Sequence, residues 1–286
     1  MNLDRWFRRS VDCVKSQSVT AREMPMGFSR KGSNVLREWL PPSEDRSGKP
    51  WGLRATLGFS AIIFVLFLAI QFLTVAFFVS FAKAEHPDLD LEAFARTLPS
   101  NGLCIAIMVI VSGVICTPLT LLFARLRKNI SVTDYIGFKE PSKREWVQWF
   151  LILAAFLVVS DGASFLLHQP IVPSFMVDAY HTASSLPALL LAIVVVAPIF
   201  EETFFRGFLF QGIRFSRLGP VGAIGITSAI WAAIHLQYDL YGMATVFCLG
   251  LLFGIARIKT DSIHLLMVMH SFVSLVATVE TALYLK

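Results

Sequence analysis

The chain has 286 residues, of which 55% are hydrophobic and 16% charged, and its mean hydropathy is +0.65. A soluble domain carries roughly a quarter charged residues, so this composition argues against a soluble globule and also against a disordered chain. The net charge of +5 does not indicate nucleic-acid binding, because eleven Lys and Arg lie in residues 1–54 and six more in 125–145. Basic clusters of this kind are typical of the cytoplasmic loops of membrane proteins.

Seven apolar segments follow a polar start. We expect residues 1–54 to be a polar, basic, cytoplasmic segment and residues 55–286 to be a multi-span membrane domain. Gly250 and Gly254 form a GxxxG pattern in the sixth segment, which predicts close packing against another helix. The predicted fold class is an all-α, polytopic transmembrane helical bundle of about seven spans. The segments cover about 55–82, 103–124, 146–167, 186 onward to beyond 200, 221–236, 242–258 and 263–285.

The loops between these segments differ in charge, and this difference orients the chain. Loop 83–101 is mainly acidic and loop 168–185 has no Lys or Arg, whereas loop 125–145 is strongly basic. Every basic cluster falls on one side if the N-terminus is cytoplasmic and seven helices follow. We therefore predict a multi-pass integral membrane protein with a cytoplasmic N-terminus. Its short loops favour a bacterial inner membrane over the endoplasmic reticulum.

The stretch PIFEETFFRGFLFQGIRFSR, residues 198–217, places charges inside an apolar segment. Ionisable groups within a membrane are costly, so they indicate function and need partners. Glu202 and Arg206 are four residues apart with the acid first, which is the favoured order for an ion pair on a helix. Glu201 points about 100° away from Glu202 on such a helix and is left to face another group.

Other polar residues, which are scarce in these apolar segments, lie at a depth in the membrane similar to that of Glu201. Measured from the basic residue Arg217, Glu201 lies about 16 residues inward, or roughly 24 Å at 1.5 Å per residue. His235 lies about as far into the next segment, and His270 and Ser274 lie about 11 and 15 residues into the last one. A carboxylate and an imidazole around one water can act as general base and then general acid, while a second imidazole and a hydroxyl can stabilise an oxyanion. This combination predicts amide hydrolysis within the membrane plane.

These residues resemble the motifs of the CPBP family, the CAAX protease and bacteriocin-processing proteins, which are also called Abi proteins. EETFFR matches the family signature EExxxR, and Trp231 with His235 matches FxxxH with Trp in place of Phe. His270 is followed four residues later by Ser274, where the family has Asn. The resemblance covers about residues 186–286, which we take as the core of the membrane domain.

The resemblance implies an intramembrane endopeptidase of the CAAX prenyl protease type. Carried over by position, Glu201 and His235 activate the water, His270 and Ser274 occupy the oxyanion-stabilising positions, and Glu202 and Arg206 complete the first motif. Cofactor use stays open between none and a divalent metal such as zinc, since Glu and His are plausible zinc ligands but no HExxH is present. If a metal is used, Glu201, His235 and His270 are its expected ligands, although a metal-independent mechanism is favoured.

Other classes of membrane protein fit the sequence less well. It has no GxSxG, GxGD or HExxH pattern, so the serine, aspartyl and HExxH types of intramembrane protease are not indicated. A non-catalytic membrane scaffold or a bacteriocin self-immunity protein stays open, because Ser274 departs from the family pattern. A proton-coupled transporter is less favoured because no repeated halves are visible. The expected partners are membrane lipid and a peptide or membrane-protein substrate, prenylated or not, and no nucleic acid.

Overall fold

The computed structural model describes residues 48–286. It is 80% helical, and the described residues contain no strand. The predicted basic segment 1–54 lies outside the described residues except for its last few positions. The helices are α1 Leu53–Glu85, α2 Leu91–Thr97, α3 Gly102–Arg125, α4 Val132–Ile136, α5 Lys143–Leu166, α6 Ser174–His181, α7 Leu186–Arg214, α8 Gly219–Ala233, α9 Leu240–Thr260 and α10 Ile263–Tyr284.

Six of the described helices are long and apolar enough to cross a membrane: α1, α3, α5, α7, α9 and α10. Helix α8 is apolar but has only 15 residues, so it spans roughly 22 Å. These seven helices coincide with the seven predicted segments, and the prediction of an all-α polytopic bundle is confirmed. One boundary differs, because α8 ends at Ala233 and leaves His235 in the connection to α9 rather than on the helix.

Polar residues just before the apolar runs fix where several helices begin. The side chains of Asn101, Asp239 and Ser262 each accept a hydrogen bond from a backbone N–H in the first turn of α3, α9 and α10. Ser142 and Glu145 form a reciprocal capping box at the start of α5. These caps satisfy backbone donors that have no partner within the helix, which explains why the apolar segments start where they do.

The basic loops meet at one end of the bundle, which we call the basic end. Arg127 donates to the carbonyl of Lys49, and Lys139 and Arg214 both pair with Asp261. The remaining connections meet at the opposite end, where the Phe175 ring of α6 lies 6.0 Å from the Tyr238 ring of the α8–α9 connection. Helices α1, α5, α8 and α10 therefore run away from the basic end, and α3, α7 and α9 run toward it.

Helices α8 and α9 approach closely at the predicted GxxxG pattern. A Cβ atom added at Gly250 would lie 3.0 Å from Cβ of Ser228, and one added at Gly254 would lie 3.0 Å from Cγ2 of Ile224. The pattern therefore serves packing within the chain, as predicted. By contrast, α1 and α5 have mainly apolar outer faces that contact no other described part of the chain, as expected of surfaces that face lipid.

A cluster of ion pairs closes the basic end; we call it the Asp261 cluster, and it contains Lys139, Arg214, Arg257 and Asp261. Arg257 is fully buried, and besides Asp261 it donates to the carbonyls of Arg206 and Ile136. Burial alone raises the pKa of Asp261, but the charge of Arg257 and the hydrogen bonds from Lys139 and Arg257 outweigh it and lower the pKa below its usual value. The cluster ties the α4–α5 loop to α7 and α9.

Candidate active site

The middle of α7 has an unusual backbone around the charged motif. Residues 191–196 and 202–209 form π-helical turns, in which hydrogen bonds run from residue i+5 to residue i. Such turns are rare and occur often at functional sites. Glu201 ends an α-helical turn and is partly exposed, whereas every residue from Glu202 to Ile213 is buried. The two adjacent carboxylates therefore lie in different environments.

Glu202 is the centre of a buried polar network that joins α7 to α10. Its Oε1 atom accepts from Nη1 of Arg206 at 3.2 Å and from Nδ1 of His270 at 2.9 Å. The side chains of Glu202 and Arg206 are completely buried, and His270 is 8% exposed. A buried carboxylate is stable only when it is paired, and here it has a cation and an imidazole N–H. Glu202 and Arg206 thus fix the position of the His270 ring.

Glu201 and His235 are joined through Trp231 of α8. The indole Nε1–H of Trp231 donates to Oε2 of Glu201 at 2.5 Å. His235 Nδ1 lies 2.7 Å from the backbone oxygen of Trp231. Because a carbonyl oxygen only accepts, this contact places the proton on Nδ1 and leaves the Nε2 lone pair free in the neutral ring. Glu201 and His235 are both partly exposed, so water can reach them.

The Trp231 ring contacts the other polar residues of the site as well. The guanidinium carbon of Arg206 lies 4.2 Å from the centre of the Trp231 ring, a close cation–π contact. The rings of His235 and His270 each lie 5.3 Å from Trp231 in edge-to-face geometry. The Arg206 Nε and Nη2 atoms are buried without a hydrogen-bond partner, and the indole face compensates for part of that cost. Trp231 is therefore the residue that links the two carboxylate environments.

Ser274 is placed near the site but is not joined to it by a side-chain hydrogen bond among the described residues. It lies one turn beyond His270 on α10 and is partly exposed. Its backbone carbonyl accepts from the Thr278 hydroxyl at 2.7 Å. The structure thus brings Glu201, Glu202, Arg206, His235 and His270 into one network, and it leaves the Ser274 hydroxyl at the edge.

Two further residues contribute to the site without having been selected from the sequence. Trp231 was noted only as a replacement for the motif Phe, although its indole N–H offers a donor that Phe lacks. Tyr238 stacks on the His235 ring at 5.9 Å, and burial together with the nearby charge of Glu201 raises the pKa of Tyr238 to about 12. Its phenol is therefore a neutral donor at pH 7. No motif indicates that a tyrosine three residues after the motif histidine belongs to the site.

The donor atoms do not form a ligand set for a metal. Within residues 48–286, no group of three or more His, Cys, Asp or Glu side chains is arranged to hold an ion. His270 Nδ1 is hydrogen-bonded to Glu202, and Oε2 of Glu201 is hydrogen-bonded to Trp231. The expected ligands Glu201, His235 and His270 do not converge on one point, so we derive no step through a metal.

Comparison with known proteins shows a family similarity for this part of the chain. Residues 183–276 match the family model described as Type II CAAX prenyl endopeptidase Rce1-like. This part of the chain is therefore similar to the CAAX protease family. The match includes all six predicted site residues and α7–α9 with most of α10, and it confirms the resemblance inferred from EETFFR and the two histidine motifs. With its six long apolar helices in residues 48–286 the protein is a multi-pass integral membrane protein, and residues 183–276 are similar to the CAAX protease family.

A curated relative covers a shorter part of the chain. An uncharacterized 24.3 kDa protein from Escherichia coli is 37% identical over 84 residues, which are 28% of this chain and 38% of that protein. The chain thus matches well under half of the length of this relative. No solved structure matches the chain.

Proposed function

We propose that the protein is an intramembrane endopeptidase in which Glu201 and His235 activate a water molecule. The observation that carries the proposal is the pair of hydrogen bonds at Trp231, which joins a partly exposed carboxylate, Glu201, to an imidazole with a free Nε2, His235. The match to the Rce1-like family model at residues 183–276 supports peptide-bond hydrolysis as the reaction. The relative from Escherichia coli and the short loops support a bacterial inner membrane.

The proposed reaction begins with a water between Glu201 and His235. Glu201 takes one proton from the water as its oxygen attacks the scissile carbonyl, and the carbonyl becomes an oxyanion. The proton then passes to the leaving nitrogen, the C–N bond breaks, and a new carboxyl and a new amine are formed. His235 accepts a hydrogen bond from the water at Nε2 and keeps it oriented.

His270 and Ser274 have the supporting role of stabilising the oxyanion. Glu202 accepts from Nδ1 of His270, so Nε2 points away from Glu202 and Arg206. Nε2 donates to the oxyanion when the ring is a doubly protonated imidazolium, which the carboxylate of Glu202 stabilises. The Ser274 hydroxyl, one turn further along α10, has no other side-chain partner in the described network and is free to donate to an oxyanion. Each such donor contributes roughly 3–4 kcal/mol to lowering the barrier in other acyl-transfer enzymes.

The experiment compares new peptide termini in native-host membranes by mass spectrometry. Membranes contain wild-type protein, Glu201→Gln or Glu280→Gln at matched levels. Glu280 is another carboxylate within a span, partly buried and outside the network, so its variant controls for the loss of a carboxylate from a membrane-spanning helix. We expect a set of termini that is present with wild type and Glu280→Gln and absent with Glu201→Gln. Identical spectra in all three would overturn the proposal.

A non-catalytic scaffold is the second candidate, because the Ser274 hydroxyl stands apart from the other site residues. The scaffold role requires that the Glu201→Gln variant produce the same peptide termini as wild type and still bind the same membrane proteins. Co-purification of the same membrane proteins with wild type and Glu201→Gln, together with identical termini, would favour it over the peptidase.

A further inference from the structure

His235 depends on its neighbours for its orientation more than the other proposed site residues do. Those residues lie on α7 and α10, whereas His235 lies beyond the end of α8, in the connection to α9. A helical backbone restricts the direction of a side chain, and a connecting segment restricts it much less. The imidazole donates from Nδ1 to the carbonyl of Trp231 and meets the indole edge to face. Both contacts come from one residue, so the plane of the imidazole depends on what packs parallel to it.

The ring of Tyr238 packs parallel to the His235 imidazole. The angle between the two ring planes is 6°, and the ring centres are 5.9 Å apart. The backbone N–H of Tyr238 donates to the carbonyl of His235 at 3.1 Å, which closes a turn over residues 235–238 and brings the two side chains together. Parallel rings at this separation form a favourable aromatic pair. The turn therefore places a flat surface against the imidazole.

The Tyr238 side chain is itself held by two helices. The ring of Phe175, on α6, lies 6.0 Å from the Tyr238 ring at an angle of 84°, an edge-to-face contact. Directly after Tyr238, the carboxylate of Asp239 accepts from the backbone N–H of Gly242 at 2.8 Å and caps α9. A Cβ atom at Gly242 would lie only 3.0 Å from Cβ of Tyr238, so the glycine leaves room for the tyrosine. The position of Tyr238 is thus set from α6 and from the first turn of α9.

The contacts of Tyr238 are made by its ring and not by its hydroxyl. Among the described residues, the Tyr238 hydroxyl has no hydrogen-bond partner. Tyr241, three residues later, differs in this respect, because its hydroxyl lies 3.1 Å from that of Ser164 on α5. A role of Tyr238 in the site is therefore expected to depend on the aromatic ring.

We infer that Tyr238 is a positioning residue, whose ring holds the His235 imidazole so that Nε2 faces the water beside Glu201. The inference rests on the proposed function for the role of that water. It also assigns a role to α6, because Phe175 supports Tyr238 from that helix. A misdirected imidazole orients the water poorly without weakening the binding of a peptide, so the effect should fall on kcat.

The test uses purified variants in proteoliposomes with a peptide found by the terminus comparison. Tyr238→Phe keeps the ring, and Tyr238→Leu keeps an apolar side chain but removes the ring. Tyr241→Leu is the matched control, since Tyr241 is also partly exposed but pairs with α5. Phe175→Leu removes the support from α6 and serves as a second variant in case Tyr238→Leu folds poorly. The melting temperature of each variant is measured in detergent.

We expect Tyr238→Leu to lower kcat by about tenfold with KM little changed, the upper end of what one aromatic pair contributes. Phe175→Leu should lower kcat in the same way by about threefold. Tyr238→Phe and Tyr241→Leu should keep at least about half of the wild-type kcat. The inference is overturned if kcat of Tyr238→Leu is unchanged or falls no further than that of Tyr241→Leu, if KM changes instead, or if Tyr238→Phe loses as much as Tyr238→Leu.

A chemical readout separates this inference from the proposed function. Diethyl pyrocarbonate modifies unprotonated imidazole nitrogens, and mass spectrometry of the peptide that contains His235 gives the rate of its modification. We expect this rate to rise in Tyr238→Leu, which uncovers the imidazole, and to be unchanged in Tyr238→Phe and Tyr241→Leu. Equal rates in all variants would overturn the inference whether or not the protein cleaves peptides. Identical termini with wild type and Glu201→Gln would overturn the proposed function alone.

Discussion

Trp231 offers the sharpest perturbation of the site, because one substitution removes a single hydrogen-bond donor. Trp231→Phe deletes the Nε1–H that donates to Glu201 at 2.5 Å, while an aromatic ring stays between His235 and His270. The variant also restores the Phe of the family motif. If the indole of Trp231 only fills space, Trp231→Phe should leave the cleavage rate unchanged.

The magnitude follows from the surroundings of Glu201. A hydrogen bond to a charged group contributes about 1.5–3 kcal/mol. Glu201 is partly exposed, so water partly replaces the lost donor, and the lower value applies. About 1.5 kcal/mol corresponds to a roughly tenfold loss in kcat/KM. Because the bond orients the base rather than the substrate, we expect the loss in kcat, with KM little changed.

The assay uses purified protein in proteoliposomes and a peptide found by the terminus comparison. Trp149→Phe is the matched control, since Trp149 is also buried but lies on α5, outside the site network. Both variants lose similar ring volume, so thermal unfolding in detergent should shift comparably. Equal rates for Trp231→Phe and wild type, or an equal fall in rate for both variants, would refute the positioning role of the indole.

Three further predictions concern the basic end and the last site residue. Asp261→Asn should lower the free energy of unfolding by about 1–3 kcal/mol, because it removes the carboxylate that faces the buried Arg257. The pKa of Asp261 in the folded protein is lowered relative to about 3.9 in the unfolded chain, so this stabilisation is present above about pH 3.9 and is lost as the pH falls through the folded-state pKa. The melting temperatures of wild type and Asp261→Asn should therefore converge in acid. A difference in melting temperature that persists in acid would contradict this role of Asp261. Gly137→Ala should cost about 2 kcal/mol or more, since Gly137 has φ of +74° and a Cβ there would lie 2.2 Å from Nη2 of Arg257; an unchanged melting temperature would count against this packing. Ser274→Asn should retain or raise the cleavage rate, and a dead variant would mean that Ser274 has a role which the family pattern does not describe.

The fold was predictable because hydropathy and loop charge both vary along the chain in long blocks. The seven apolar segments follow from composition alone, and the caps at Asn101, Ser142 and Ser262 explain their limits. The end of α8 was predicted too late, since Ile234 and Leu236 are as apolar as the helix before them. Only tertiary packing distinguishes an apolar helix end from an apolar loop.

The sequence pattern predicts one contact of the polar network but not the others. The spacing of Glu202 and Arg206 predicts their ion pair, because both lie in one segment. The bond from His270 to Glu202 joins residues 68 positions apart, and no spacing rule reaches that far. The indole donor of Trp231 and the π-helical turns of α7 were missed for a similar reason, since neither has a local signal in the sequence.

The central claim is that Glu201 is the base that activates water, and single-turnover cleavage by the purified Glu201→Gln variant tests it most directly. Glutamine keeps the size of the side chain and can still accept from Trp231, so the protein should fold and unfold like wild type. We predict that its cleavage rate falls by more than about 100-fold, the scale expected when an acid–base group is removed. A rate near that of wild type, from protein with an unchanged melting temperature, would contradict the mechanism.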